Sequence, residues 1–338
     1  MRILVIGGTR FIGPWVVRAL TDDGHEVAVF HRGETRAELP DGVREILGDH
    51  ARLDEHARDF AAFAPDVVLH MVAMTDEDAE RAVRAFAGRA GRMVAISSMD
   101  VYRARNRLFG DEPGDPDPVP LTEASPLREV LYPYRSHVPG PEHPWYAYEK
   151  ILVERAVLGA DDLRSTVLRL PAVYGPGDNH HRIREFLDAM DDGRPAIPLT
   201  EGRAQWRWSR GHVANVARAI TLAVEDERAA GEVYNVADEP PLTDLEWVRA
   251  IGSAAGWEGE VVVVPDGSLR DPFGVPLDFR QHLVGSTKKI REQLGFAEAV
   301  PLADGLRAAV EWERAHPPEA RPPRDYAAED AALARRPR

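Results

Sequence analysis

The sequence predicts an α/β fold: a doubly wound parallel sheet with a smaller C-terminal α/β lobe. Three observations carry that expectation. Short apolar runs alternate with amphipathic stretches over the first hundred residues, the pattern of βα units feeding a parallel sheet. The runs are largely unbroken and rich in β-branched residues, which suits strands buried on both faces. A glycine-rich turn separates the first run from the first amphipathic stretch.

Strands are expected at 2–6, 26–30, 44–47, 66–70 and 92–97. Between them, 11–21, 51–63 and 76–87 carry apolar residues at helical spacing. Residues 103–145 break the rhythm. Asp111-Glu112-Pro113-Gly114-Asp115-Pro116-Asp117-Pro118 is crowded with proline, glycine and acids, and so long a connection without periodicity reads as a lid or a disordered insert. Periodicity returns with a helix at 146–158, a strand at 165–170, a helix at 212–225, a strand at 232–236, a helix at 244–255 and a β-rich run at 261–264. Residues 1–170 are expected to form the first domain, and 171–315 a lobe with segments returning to it. The Pro-, Ala- and charge-rich stretch 316–338 reads as a peripheral helix or a disordered tail.

Composition narrows the chemistry. Of the 338 residues, 44% are hydrophobic and 29% charged, as in a globular protein. The 42 Lys+Arg against 56 Asp+Glu leave a net charge of −14, which repels a phosphate backbone, so no nucleic acid is expected as partner. The absence of cysteine excludes disulfides, thiolate metal sites and a thiol nucleophile. Any catalyst is therefore an oxygen or nitrogen group. Asn179-His180-His181 lacks a third ligand at a defined spacing, and no metal is expected. There is no leader-like segment and no apolar run of about 18 residues. A cytoplasmic protein without a membrane partner is the expectation.

The glycine-rich turn reads Gly7-Gly8-Thr9-Arg10-Phe11-Ile12-Gly13. Placed between a strand and a helix, such glycines let the backbone approach a pyrophosphate at the helix N-terminus, the mark of a Rossmann-type dinucleotide site. The acid that would hold a ribose hydroxyl at the end of the second strand is missing, and the chain there reads His31-Arg32-Gly33. A guanidinium at Arg32 can pair with a 2′-phosphate, which favours NADP over NAD. The alternative is a solvated loop cation.

Tyr146 and Lys150 stand at i and i+4, expected on one helix face. At about 4 Å and an effective dielectric of about 20 the cation favours the phenolate by on the order of 4 kcal/mol, or about three pKa units before desolvation. Tyr148 falls on another face, so Tyr146 is the expected acid/base. Ser97-Ser98-Met99-Asp100-Val101-Tyr102 ends the fifth strand, on the edge where a doubly wound sheet binds ligands.

Together with Asp66-Val67-Val68-Leu69-His70 and Arg169-Leu170-Pro171-Ala172-Val173-Tyr174-Gly175-Pro176-Gly177-Asp178, these segments resemble the successive motifs of the extended short-chain dehydrogenase/reductases, the group of the nucleotide-sugar epimerases and dehydratases. The resemblance covers about residues 1–315. It implies that Ser98 bonds the reacting oxygen, that Tyr146 exchanges its proton, and that Lys150 holds the ribose while lowering the tyrosine pKa. It implies further that Asp49 faces the adenine amine, with His31, Arg32 and His70 beside the cofactor. A hydride passing to or from the nicotinamide, a sugar-like small-molecule substrate and a homodimer are also implied.

Departures shape the rest. Arg10 replaces a glycine common in that group, and the turn also resembles an atypical branch that includes chloroplast stem-loop RNA-binding proteins. Met99 stands where 4,6-dehydratases carry the acid of water elimination. Ala172 replaces an asparagine that contacts the sugar-nucleotide diphosphate. Arg128 and Arg135 of the insert are candidate substrate contacts. Within the basic and aromatic segment 203–210, Arg207 or Arg210 is expected to reach a substrate phosphate, with cation–π packing as the alternative. Epimerisation is the favoured reaction, with an NADPH-dependent carbonyl reductase next. A nucleotide-binding protein without turnover, sensing redox state or associated with RNA, is the reading from another class.

Overall fold

Seven parallel strands in the order β3-β2-β1-β4-β5-β6-β10 form the central sheet. The structure is a computed structural model that describes residues 1–35, 37–270, 274–320 and 324–335. The first half runs β1 (Arg2–Ile6), α1 (Ile12–Asp22), β2 (Glu26–His31), β3 (Arg44–Leu47), α2 (Ala57–Phe63), β4 (Val67–His70), α3 (Asp76–Phe86), β5 (Arg92–Ser98) and α4 (Arg103–Leu108). After the irregular stretch come α5 (Lys150–Leu158), β6 (Arg164–Leu170), β7 (Ala172–Tyr174), α6 (Arg184–Asp191), β8 (Ala196–Thr200), α7 (Glu201–Gln205), β9 (Arg210–His212) and α8 (Val213–Glu225). The last elements are β10 (Val233–Asn235), α9 (Asp244–Ala255), β11 (Glu260–Val264), α10 (Lys288–Leu294), α11 (Leu302–Ala315) and α12 (Tyr326–Leu333).

β1 is central because both its faces are apolar. Ile3 and Val5 pack with Val16, Val17 and Leu20 of α1 and with Val216 and Ile220 of α8. Leu4 and Ile6 pack on the opposite face with Phe60, Phe63, Phe86, Val153 and Val157. Successive side chains of a strand point to opposite faces, so an unbroken apolar run must have a layer on each side. In register, Ile3 stands between Val27 of β2 and Val67 of β4. Strand order reverses between β1 and β4, which opens a crevice at their C-terminal ends.

β8 pairs with β11 and β7 with β9, each pair parallel. A further core of Phe186, Leu187, Ile197, Leu199, Trp247, Ile251 and Leu306 lies with these elements. In the tail, α12 packs on β8 and β11, where Tyr326 hydrogen-bonds Asp192 and Arg194 pairs with Asp330. None of the described helices is long and apolar enough to cross a membrane.

Two expectations need correction. The helix expected at 146–158 begins only at Lys150, because Glu149 is extended (φ −156°, ψ 95°) and caps it by accepting from Ile151 N–H. Residues 103–145 are neither disordered nor loosely attached. Arg103 pairs with Asp117 and Asn106 Nδ2 donates to Glu112 Oε1 at 2.8 Å. Val101, Tyr102, Leu108 and Leu121 join Trp206 and Leu283 in one apolar cluster.

Candidate active site

The turn after β1 is shaped by its glycines. Gly7 and Gly8 have φ of +95° and +90°, which side-chain-bearing residues rarely adopt. A Cβ on Gly13 would lie 2.4 Å from the backbone of Gly8, so only glycine lets α1 start this close to the turn. No side chain caps α1 and no acid stands in its first turn, so no negative group there opposes an anion, although Gly13 N–H donates to the Arg10 carbonyl at 2.9 Å and Pro14 has no N–H. Thr9, Arg10, Phe11 and Ile12 complete the loop. The residues present therefore fit a dinucleotide pyrophosphate.

At the far end of this cleft, Arg10 Nε donates to Thr35 Oγ1 at 2.8 Å and so reaches the loop after β2. Arg32, about half exposed, pairs with Glu34 at 2.9 Å. His31 accepts from Gly33 N–H through Nδ1 and meets Glu45 through Nε2 at 2.9 Å. Asp49 caps the following 3₁₀ turn, and the Ala51 N–H bond lowers its pKa. His70 is fully buried at the end of β4 with neither ring nitrogen bonded. Burial pushes its pKa down to about 3, so the ring is neutral.

Ser98 ends β5 and stands beside a buried tyrosine, but that tyrosine is Tyr148. Ser98 is among the groups that act on the Tyr148 phenol, whose Oη lies 3.5 Å from Asp100 Oδ2. Tyr134 Oη donates to the same carboxylate oxygen at 2.5 Å. The Lys150 ammonium lies 5.8 Å from the centre of the Tyr148 ring and donates to the carbonyls of Ala73 and Ile96. Burial brings its pKa down to about 8, against the opposing pull of Asp78, Glu154 and Asp100. Burial first, and the Asp100 charge second, hold the Tyr148 phenol well above its ordinary pKa.

Tyr146 does not share a helix face with Lys150. It sits in the turn before α5, half-buried, with the Arg135 guanidinium 4.8 Å over its ring. The cause is Glu149, whose carboxylate is fully buried against Arg128 at 2.9 Å and also accepts from Tyr132 N–H. A residue so held cannot continue a helix toward Tyr146.

Other expected contacts fall elsewhere. Arg128 is buried and bonds Glu149 and the carbonyls of Asp100 and Val130, so it pins the insert rather than meeting substrate. Arg135 is exposed and stacks between Tyr132 and Tyr146. Arg210 pairs with Asp244 and lies 4.6 Å over Trp247, the cation–π alternative, while Arg207 donates to the Pro241 carbonyl. Met99 is buried against Gly285, and Ala172 lies opposite Arg210 between β7 and β9. His181 bonds Glu313 at 2.7 Å. Sequence reasoning named neither Tyr134 nor Asp100 as a site residue and set Tyr148 aside. The adjacency of Asp100 to Ser98 was the available signal for one, and the aromatic run at the end of the insert for the other.

Comparison with known proteins shows the family. The profile of the NAD dependent epimerase/dehydratase family matches residues 3–237. The chain is 30% identical over 275 residues to a 2′-dehydrokanamycin reductase of Streptomyces kanamyceticus, covering 78% of this chain and 70% of that protein. It is 31% identical over 349 residues to a dTDP-glucose 4,6-dehydratase of Streptomyces niveus, covering 93% of each. In fold it is similar to a UDP-glucose 4-epimerase of Thermotoga maritima, with a TM-score of 0.69 at 21% identity, covering 93% of this chain and 99% of that one. With the family profile running from β1 to just past β10, and the glycine cradle and Ser98/Lys150 edge in place, this chain belongs to the NAD-dependent epimerase/dehydratase family as an NAD(P)-dependent oxidoreductase.

Proposed function

We propose that the protein is an NADPH-dependent reductase acting on the carbonyl group of a small molecule. The observation that carries this reading is that two guanidinium groups are held on the loop after β2, Arg10 through Thr35 and Arg32 through Glu34, where a ribose-binding carboxylate would otherwise stand. The exposed Arg32–Glu34 pair holds Arg32 by about 1 kcal/mol at most, so a 2′-phosphate can replace the glutamate. The reductase relative from Streptomyces kanamyceticus supports the same direction. Dehydration is not carried over from the Streptomyces niveus relative, because a thioether at Met99 has no proton to give.

In this reading Gly7–Gly13 and the start of α1 would hold the pyrophosphate, Arg10 and Arg32 the 2′-phosphate, and Lys150 the nicotinamide ribose. Bound NADPH supplies a hydride. Ser98 and a tyrosine from the segment before α5 hold the carbonyl oxygen, and the tyrosine gives it a proton. By the resemblance, the working unit is a homodimer; light scattering at the mass of one chain would remove that part.

Arg32→Ala and Arg10→Ala are each expected to weaken NADP binding about tenfold, or about 1.4 kcal/mol, with NAD binding unchanged. Titration of both nucleotides checks this, and an unaltered NADP preference in both variants would overturn the assignment. Epimerisation is the second reading, since the closed packing of Tyr134, Trp145 and Tyr148 over Asp100 suits a cofactor that never leaves. Mass spectrometry of denatured protein separates the two. Near-stoichiometric NAD favours epimerisation, and empty protein that binds NADPH reversibly favours reduction.

A further inference from the structure

We propose that Tyr148, not Tyr146, is the catalytic phenol, and that Asp100 and Tyr134 position it and return its proton. The inference rests on the reductase reading and names the acid within it.

Four placements support it. Tyr148 reaches the end of β5: its Oη lies 3.5 Å from Asp100, whose N–H donates to Ser98 Oγ at 3.1 Å at the ligand edge of the sheet. Its ring is the one nearest the Lys150 ammonium. Its Oη and that of Tyr134 converge on one oxygen of Asp100. Tyr146 is kept from this cluster by the buried Glu149–Arg128 pair and by Arg135.

The reaction balances with NADPH as reductant. As hydride adds to the carbonyl carbon, the C–O π pair moves to oxygen, and the Tyr148 proton passes to that alkoxide. The phenolate left behind regains a proton from solvent through the Tyr134–Asp100 chain. Asp100 raises the resting affinity of Tyr148 for its proton, so the proton leaves only for a base as strong as an alkoxide. Trp145 stacks on the Tyr148 ring at 5.8 Å and 19°, and Tyr134 meets Trp145 edge-on at 4.8 Å. A wall of this kind suits a carbonyl with a flat, unsaturated face beside it.

The test uses the full chain with NADPH and two probe carbonyls of that kind, para-nitrobenzaldehyde and phenanthrenequinone. Tyr148→Phe is expected to lower kcat by about 100-fold or more, with cofactor affinity and circular dichroism unchanged. Tyr146→Phe is expected to lose only a few-fold. Equal or greater loss in Tyr146→Phe overturns the inference and leaves the reductase reading standing. A wild-type protein that oxidises NADPH with neither probe overturns both.

The pH profile gives a readout that packing alone would not move, and it serves if Tyr148→Phe fails to fold. Activity needs the protonated phenol, so kcat falls on the alkaline side. Removing the charge in Asp100→Asn lowers the Tyr148 pKa, so that limb is expected to move to lower pH. An unmoved limb in Asp100→Asn would overturn the positioning role of Asp100.

Discussion

The two sides of the cleft are built by different physics. The cofactor side, from β1 through the glycine turn to α1, is made of backbone: positive φ at Gly7 and Gly8 and the close approach of Gly13 to Gly8. The proposed proton side is made of side chains that meet from distant segments: half-buried Ser98 and Asp100 from the end of β5, half-buried Tyr134 from the insert, and buried Tyr148 and Lys150 from the chain entering α5. A backbone site tolerates change in its neighbours but no Cβ in its cradle. A side-chain site depends on partners whose loss leaves a charge buried.

That contrast can be broken most sharply at Arg128. Arg128→Ala leaves the Glu149 carboxylate buried without its cation and is expected to cost about 3–5 kcal/mol in urea unfolding. A double replacement by apolar residues of similar volume should recover much of that loss. A cost below about 1 kcal/mol for Arg128→Ala, the range of a surface pair, would mean the insert is held by something else.

On the cofactor side, Gly13→Ala is expected to cost about 2 kcal/mol, because the obstructing atoms are the backbone of Gly8 and cannot swing aside. Calorimetric titration should show NADP binding lost with it. Full binding in that variant would show that the turn has more room than its geometry gives.

The last effect appears only as pH is lowered, at His70. Its pKa in the folded protein is about 3 against an ordinary 6.5, so the unfolded chain takes up the proton first. Stability is therefore expected to fall as pH drops below 6.5, by about 1.4 kcal/mol per pH unit from this group. His70→Phe should flatten that part of the profile in thermal unfolding. An identical acid limb in wild type and variant would show that His70 is not the group responsible.

The same division explains what could be read in advance. β1 and β3 fall at the expected residues, and β2, β4, β5, α1 and α3 within a residue or so at each end, because each is specified by its own apolar period and its own turn. The segment 51–63 divides into a 3₁₀ turn at His50–His56 and α2, since Arg52 leaves helical geometry. α4 carries the polar sequence Arg103–Leu108 and shows no period to read. Tyr146 was favoured over Tyr148 on the assumption that residue 149 is helical, and the partner that makes it extended is Arg128, 21 positions earlier.

By itself, the sequence determined the parallel sheet, the glycine cradle and the family, since backbone conformation and two-sided burial are written into short stretches of chain. The tertiary structure alone decided which tyrosine faces Ser98 and Lys150, which arginines are bound in ion pairs, and that the insert belongs to the core. Those outcomes turn on burying Glu149 and Arg128 together and on pairing Arg210 with Asp244, partners far apart in sequence, and a charge can be buried only where the folded chain brings its counter-charge.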